Sequence, residues 1–114
     1  MDRSEAIKKL NSHLKTNFIT MRNSNMSNIT KSGDWWLNPA FDRKNDDWYL
    51  ILNNGKTRKL HLFHIKANDP IFDKFDVRSD KDVYSLYITV SDTNFREKNT
   101  YLNFAKYLVV SLKY

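Results

Sequence analysis

The sequence contains no cysteine, and only two glycines, two prolines and two glutamates stand among its 114 residues. Without cysteine there is neither a disulfide framework nor a thiolate metal centre. With two isolated glycines there is no phosphate-cradling loop and no glycine-flanked nucleophile elbow, so nucleotide and acyl-transfer chemistry by those routes is excluded. No apolar run approaches the roughly 20 residues that span a bilayer, and the N-terminus lacks the apolar stretch of a signal peptide. The expectation is a cytoplasmic protein without membrane contact.

What the chain has is aromatic and basic. Three Trp, six Tyr and seven Phe contribute to a hydrophobic content of 40%, ample material for one packed core. The length suits one domain, here residues 1–114. The net charge of +6 is unevenly placed. Residues 1–33 carry six Lys/Arg against two acids, residues 34–68 six against four, and residues 69–114 seven against seven. The excess therefore lies entirely before Asp69, and a basic surface of this kind attracts phosphate backbones or anionic headgroups. Thirteen Asn, and eleven Asp against two Glu, match the codon bias of an AT-rich genome and suit a bacterium, a phage or a mobile element.

Ser4 precedes Ile7, Leu10, Leu14 and Phe18, whose spacing predicts a helix over residues 4–18. Residues 22–34, rich in Asn and Ser and closing on Ser32-Gly33-Asp34, read as a loop. Trp35-Trp36-Leu37 reads as a short strand stopped by Asn38-Pro39. Residues 48–52 and 60–65 flank Asn53-Asn54-Gly55-Lys56 and form the clearest signal, a β-hairpin. A type I′ turn at Asn54-Gly55 would pair Ile51 with Arg58 and Tyr49 with Leu60. It directs Trp48, Leu50, Leu52, His61, Phe63 and Ile65 to one face, and Asp47, Tyr49, Ile51, Leu60, Leu62, His64 and Lys66 to the other. Both faces carry apolar side chains, so the hairpin is central.

Residues 68–82 form an acid-rich connection, a flap or the site of a short helical turn. Residues 83–91 alternate as a strand buried on the Tyr84, Leu86, Ile88 and Val90 face. After a turn at Ser91-Asp92-Thr93-Asn94, the spacing of Tyr101, Phe104, Leu108 and Leu112 favours a helix over residues 97–107 that passes into a final strand. The expected architecture is α+β: an N-terminal helix on a mainly antiparallel sheet of three to five strands around a central hairpin, closed by a C-terminal helix or strand.

His61 and His64 stand three apart, which shares a face on a helix but not on a strand, so they read as structural and no metal or cofactor is expected. The acidic runs Asp46-Asp47, Asp80-Lys81-Asp82 and Asp69, Asp73, Asp76 lack the glycine-centred loop of an EF-hand and read as caps and turns. The binding candidates are Arg43, Lys44, Lys56, Arg58 and Lys59, with Lys8, Lys9, Lys15, Arg22 and Lys31 earlier and Trp35, Trp36, Trp48 and Tyr49 nearby. Such groups engage phosphates and stack on bases. The expected function is therefore binding of nucleic acid, DNA or RNA, through the front half of the chain. The alternative is a module for a protein partner, an inhibitor or subunit.

A third reading starts from Asp47, which the hairpin sets diagonally across from His64, with Lys66 two residues further along the same face. The set Asp47 with His64-Ile65-Lys66 resembles the PD-(D/E)xK nucleases. The resemblance implies a metal held by the acidic positions, a lysine polarising the attacking water, and a leading helix on the sheet. Here His64 stands where the second carboxylate belongs, a poor ligand for Mg²⁺, so the resemblance implies either a nuclease or, more readily, an inactive relative that keeps the scaffold.

Overall fold

The computed structural model describes residues 1–90 and 94–114. Its first element, α1 (Arg3–Leu14), begins one residue before the expected start at Ser4: Asp2, not Ser4, is the cap, its carboxylate accepting from the Glu5 amide at 2.8 Å. Lys15 closes the helix in the left-handed region at φ 54°, its amide reaching the Asn11 and Ser12 carbonyls. Asn11 then holds the returning chain, its side-chain amide donating to the Ile19 carbonyl and its oxygen accepting from the Ile19 amide. The helix therefore ends four residues short of Phe18, which is 69% exposed.

Residues 22–34, read as loop, contain a strand, β1 (Ser24–Asn28), paired in parallel with β3 (Trp48–Asn54). It lacks apolar alternation because polar side chains fix it: Asn25 accepts from the Trp48 indole and Asn28 from the Asn53 amide. Residues 29–33 turn the chain out of this sheet, with Gly33 at φ 87°, into β2 (Asp34–Leu37). The hairpin of β3 and β4 (Lys59–Ile65) is as expected, but its turn is longer. Asn54 pairs with Lys59 and Ile51 with Leu62, leaving residues 55–58 as the loop. The Asn54 side chain accepts from the Lys56 and Thr57 amides, and Arg58 takes the positive φ of 55°. The far strand is displaced by four residues from the expected pairing. An even displacement leaves every side chain on its expected face.

Proline 70 opens a 3₁₀ turn (Pro70–Lys74) capped by Asp69, which sends Ile71 and Phe72 into the core ahead of Phe75. The connection also holds the short strand β5 (Asp76–Arg78). Strand β6 (Val83–Thr89) buries Tyr84, Leu86 and Ile88 as its alternation implies. The expected turn at Ser91-Asp92-Thr93-Asn94 falls mostly on residues 91–93, outside the described residues.

The expected helix over residues 97–107 is replaced by a folded-back loop and one 3₁₀ turn (Ala105–Tyr107). The fully buried Glu97 carboxylate accepts from the Tyr87, Asn99 and Thr100 amides and the Thr100 hydroxyl. Tyr101, at φ 61°, then turns outward and is 71% exposed. The last strand, β7 (Leu108–Lys113), runs antiparallel to β4.

The strands form two sheets, β1-β3-β4-β7 and β2-β6-β5, antiparallel apart from the β1–β3 pair. Ile51, Leu60 and Leu62 of the larger sheet pack under Ala6, Ile7 and Leu10 of α1. Its other face, with Trp48, Leu50, Leu52, Phe63 and Ile65, meets Trp35, Leu86 and Ile88 of the smaller sheet. The hairpin is thus buried on both sides in an α+β stack of helix, sheet and sheet. Among the described residues no helix is long and apolar enough to cross a membrane.

Candidate nucleic-acid interface and an aspartate–histidine groove

The hairpin separates the five expected binding cations into two groups. At a rise of about 3.3 Å per residue, the two ends of β3 lie roughly 20 Å apart. Arg43 and Lys44 are at its base, on a 3₁₀ turn (Phe41–Asn45). The Arg43 guanidinium is engaged within the fold, donating to Asn25 Oδ1 at 2.9 Å and to the Arg22 carbonyl. The adjoining cleft, of about 570 Å³, is lined by Arg22 and Arg43 but also by Asp42, Asp46 and Asp47. The base end is therefore mixed in charge.

At the tip, Lys56, Arg58 and Lys59 are exposed and gain partners of like sign. Lys113 of β7 is paired directly opposite Lys59, an arrangement that is unfavourable unless an anion intervenes. Arg58 Nε donates to the main-chain oxygen of Tyr114 at 2.8 Å, and its guanidinium lies 5.3 Å from the centre of the Tyr114 ring. Lys9 Nζ, from α1, stands 5.9 Å from the same ring, whose hydroxyl donates to Asn53 Oδ1. Lys8 shares a shallow cleft with Lys9 and Tyr114. Among the described residues, none of Lys8, Lys9, Lys56, Lys59 and Lys113 has a carboxylate at ion-pair distance; the ion pairs lie elsewhere, at His64–Asp47 and Lys98–Asp34. Lys113 and Tyr114 were not legible as members of this surface, because only the pairing of β7 with β4 brings them to it.

The tryptophans divide between core and surface. Trp35 and Trp48 are fully buried, whereas Trp36 is 54% exposed on the outer face of the smaller sheet, opposite Tyr87. Lys98 Nζ stands 4.8 Å over the Tyr87 ring.

Asp47 and His64 come together at the base of the hairpin. His64 Nε2 lies 3.1 Å from Asp47 Oδ2, the Ala67 amide donates to Asp47 Oδ1, and the Tyr49 ring stacks on the imidazole at 4.7 Å. The Ala67 amide, then the His64 contact, hold the Asp47 carboxyl below its ordinary value, and Lys66 adds to the effect. Burial raises the Tyr49 phenol, with Asp47 adding to it. Donation from Nε2 to the Asp47 carboxylate leaves Nδ1 as the nitrogen of the ring that can accept. His64 faces a groove of about 650 Å³ walled by Leu14, Phe18, Tyr49, Leu62 and Val109. His61 points the other way, into the core, with Nδ1 2.7 Å from Ser111 Oγ; burial, then Lys59, lower its basicity.

The resemblance to the PD-(D/E)xK set extends to the convergence of Asp47, His64 and Lys66 at one end of the hairpin. Its metal chemistry needs more, since the Asp47 oxygen and His64 nitrogen face each other, and among the described residues no three His, Asp or Glu side chains gather as ligands. In comparisons by sequence and by structure, no protein-family model, no curated protein and no solved structure matches the chain. Fold and surface together define an α+β stack with a cationic end and, at the base of the hairpin, a groove faced by His64.

Proposed function

We propose that the protein binds nucleic acid by its phosphate backbone, through the surface where α1, the hairpin tip and the end of β7 meet. The observation that carries this reading is the cationic end of the molecule: Lys9 and Arg58 flank the Tyr114 ring with Lys8 beside them on the α1 side of the larger sheet, Lys59 and Lys113 are paired on its other face, Lys56 is exposed in the turn, and among the described residues no carboxylate pairs with these lysines. Unneutralised like charges held together raise the local potential, and phosphates relieve it while releasing condensed counterions. Arg43 is left out of the interface, because it lies at the other end of the hairpin, bonded to Asn25 and Arg22 beside a cleft lined by Asp42, Asp46 and Asp47.

The test is fluorescence anisotropy with a labelled single-stranded oligonucleotide at low salt. Reversing Lys56, Lys59 and Lys113 to Glu should abolish binding, whereas reversing the remote pair Lys74 and Lys81 should leave most of it. Equal losses in both variants, or no binding by the unaltered protein, would sink the proposal.

A protein partner is the second reading, favoured by β7, an edge strand of the larger sheet with Leu108 and Val109 36% and 47% exposed. A stoichiometric protein complex, with no retention of the chain on heparin, would favour it over nucleic acid.

A further inference from the structure

The seam between α1 and β7 joins the cationic end to the groove at the base of the hairpin. At one end Lys8, Lys9, Ser12 and His13 share a cleft with Leu112 and Tyr114. At the other, Leu14 and Phe18 face Val109 and His64. The cations along it, Lys8, Lys9 and Lys15, are all on the helix or its cap. A strand held by its phosphates at the cationic end would be led along this seam to His64, the imidazole that faces the groove and is held by Asp47 and Tyr49.

We infer that the groove is a catalytic site for single-stranded RNA, in which His64 acts as general base on a ribose 2′-hydroxyl. The inference rests on the nucleic-acid reading above. RNA is the substrate class because it carries its own nucleophile, so one oriented base suffices to start chain cleavage. Phe18, 69% exposed at the lip of the groove, offers a face on which a base can stack.

The step balances within the RNA and water. Nδ1 of His64 takes the 2′-proton as the 2′-oxygen bonds to the adjacent phosphorus. The bond from phosphorus to the 5′-oxygen breaks, and the leaving oxygen takes a proton from water. The imidazolium returns its proton to solvent, leaving a 2′,3′-cyclic phosphate and a 5′-hydroxyl end. Asp47 and Tyr49 are positioning residues: Asp47 fixes the tautomer through Nε2, and Tyr49 fixes the ring plane by stacking. Lys66, whose charge reaches Asp47, adds positive potential beside the site.

The experiment incubates the full chain with end-labelled single-stranded RNA in EDTA, beside the same strand made with 2′-deoxy sugars. Cleavage of RNA alone, leaving cyclic phosphate ends, is expected. His64→Ala should lower the rate by about 10²-fold or more with RNA affinity unchanged, and added imidazole should restore part of it. Asp47→Asn should lower kcat and leave KM near its starting value. His64→Gln, which keeps a donor toward Asp47, guards against loss of folding and should be as inactive as His64→Ala. RNA bound but left intact overturns this inference alone, as does cleavage that persists in both His64 variants. If the 2′-deoxy strand binds at low salt and RNA does not, this inference alone falls; if neither strand binds, the proposed function falls with it.

Discussion

The ring of Tyr114 stands beside two cations at once, Lys9 from the helix and Arg58 from the hairpin turn, and its hydroxyl is bonded to Asn53. Aromatic rings accept cations on their faces, so this residue holds charges together that would otherwise repel. Tyr107 shows the opposite use of a phenol. Its hydroxyl donates to Asp69, and burial, reinforced by that carboxylate, pushes its pKa up to about 12 from an ordinary 10.0. The folded state thus favours the neutral phenol, and its contribution is fully present below pH 10 and is lost as pH rises toward 12. Tyr107→Phe should cost about 1 kcal/mol at neutral pH and should lose less stability than the unaltered protein over that alkaline range. Urea midpoints measured from pH 8 to 12 check this; parallel curves would contradict it. The remaining alkaline loss in the variant belongs to Tyr49 and Tyr84, which burial shifts in the same direction.

Among the elements, the segment around Glu97 stands in for a strand. Its carboxylate and the Lys98 amide occupy the backbone groups of Tyr87, beyond the reach of β5, which pairs only with residues 83–85 of β6. Glu97→Ala would leave buried amides without acceptors, at a cost of about 3 kcal/mol and a fall in Tm of roughly 10 °C. Glu97→Gln, which keeps an acceptor oxygen, should lose less; calorimetry on the two variants separates the outcomes, and equal Tm values would refute this role. Pairing within the segment explains why it is not the helix that its spacing predicts. The spacing of Tyr101, Phe104, Leu108 and Leu112 fits a helix, but residues 95–97 pair back on residues 102–104, the Glu97 amide donating to the Leu102 carbonyl and the Phe104 amide to the Phe95 carbonyl, with Phe95 and Tyr101 at positive φ. Strand β1 was illegible because Ser and Asn side chains replace the apolar alternation that marks strands. The hairpin and its faces were legible because Asn54-Gly55 and two alternating runs agree. Its turn length was not, because the Asn54 side chain caps residues 56 and 57 in place of the shorter turn.

For the molecule as a whole, the charge asymmetry of the sequence becomes a surface only through topology. The front-half excess divides: Arg43 is bound into the fold near three aspartates, while Lys56, Arg58 and Lys59 stay exposed and are joined by Lys8, Lys9 and Lys113. Half of the interface was thus readable from hairpin and charge, and the rest waited on the position of β7 and α1. Likewise, the contact of Asp47 with His64 followed from the faces of the hairpin, although their direct bond depended on the true register. The salt dependence of nucleic-acid affinity is the most direct measurement of the central claim. Binding of a single-stranded oligonucleotide should weaken linearly in log Kd against log salt, and changing Lys56, Lys59 and Lys113 to Gln should reduce that slope by roughly 2. A slope unchanged by the triple variant, or affinity indifferent to salt, would contradict it.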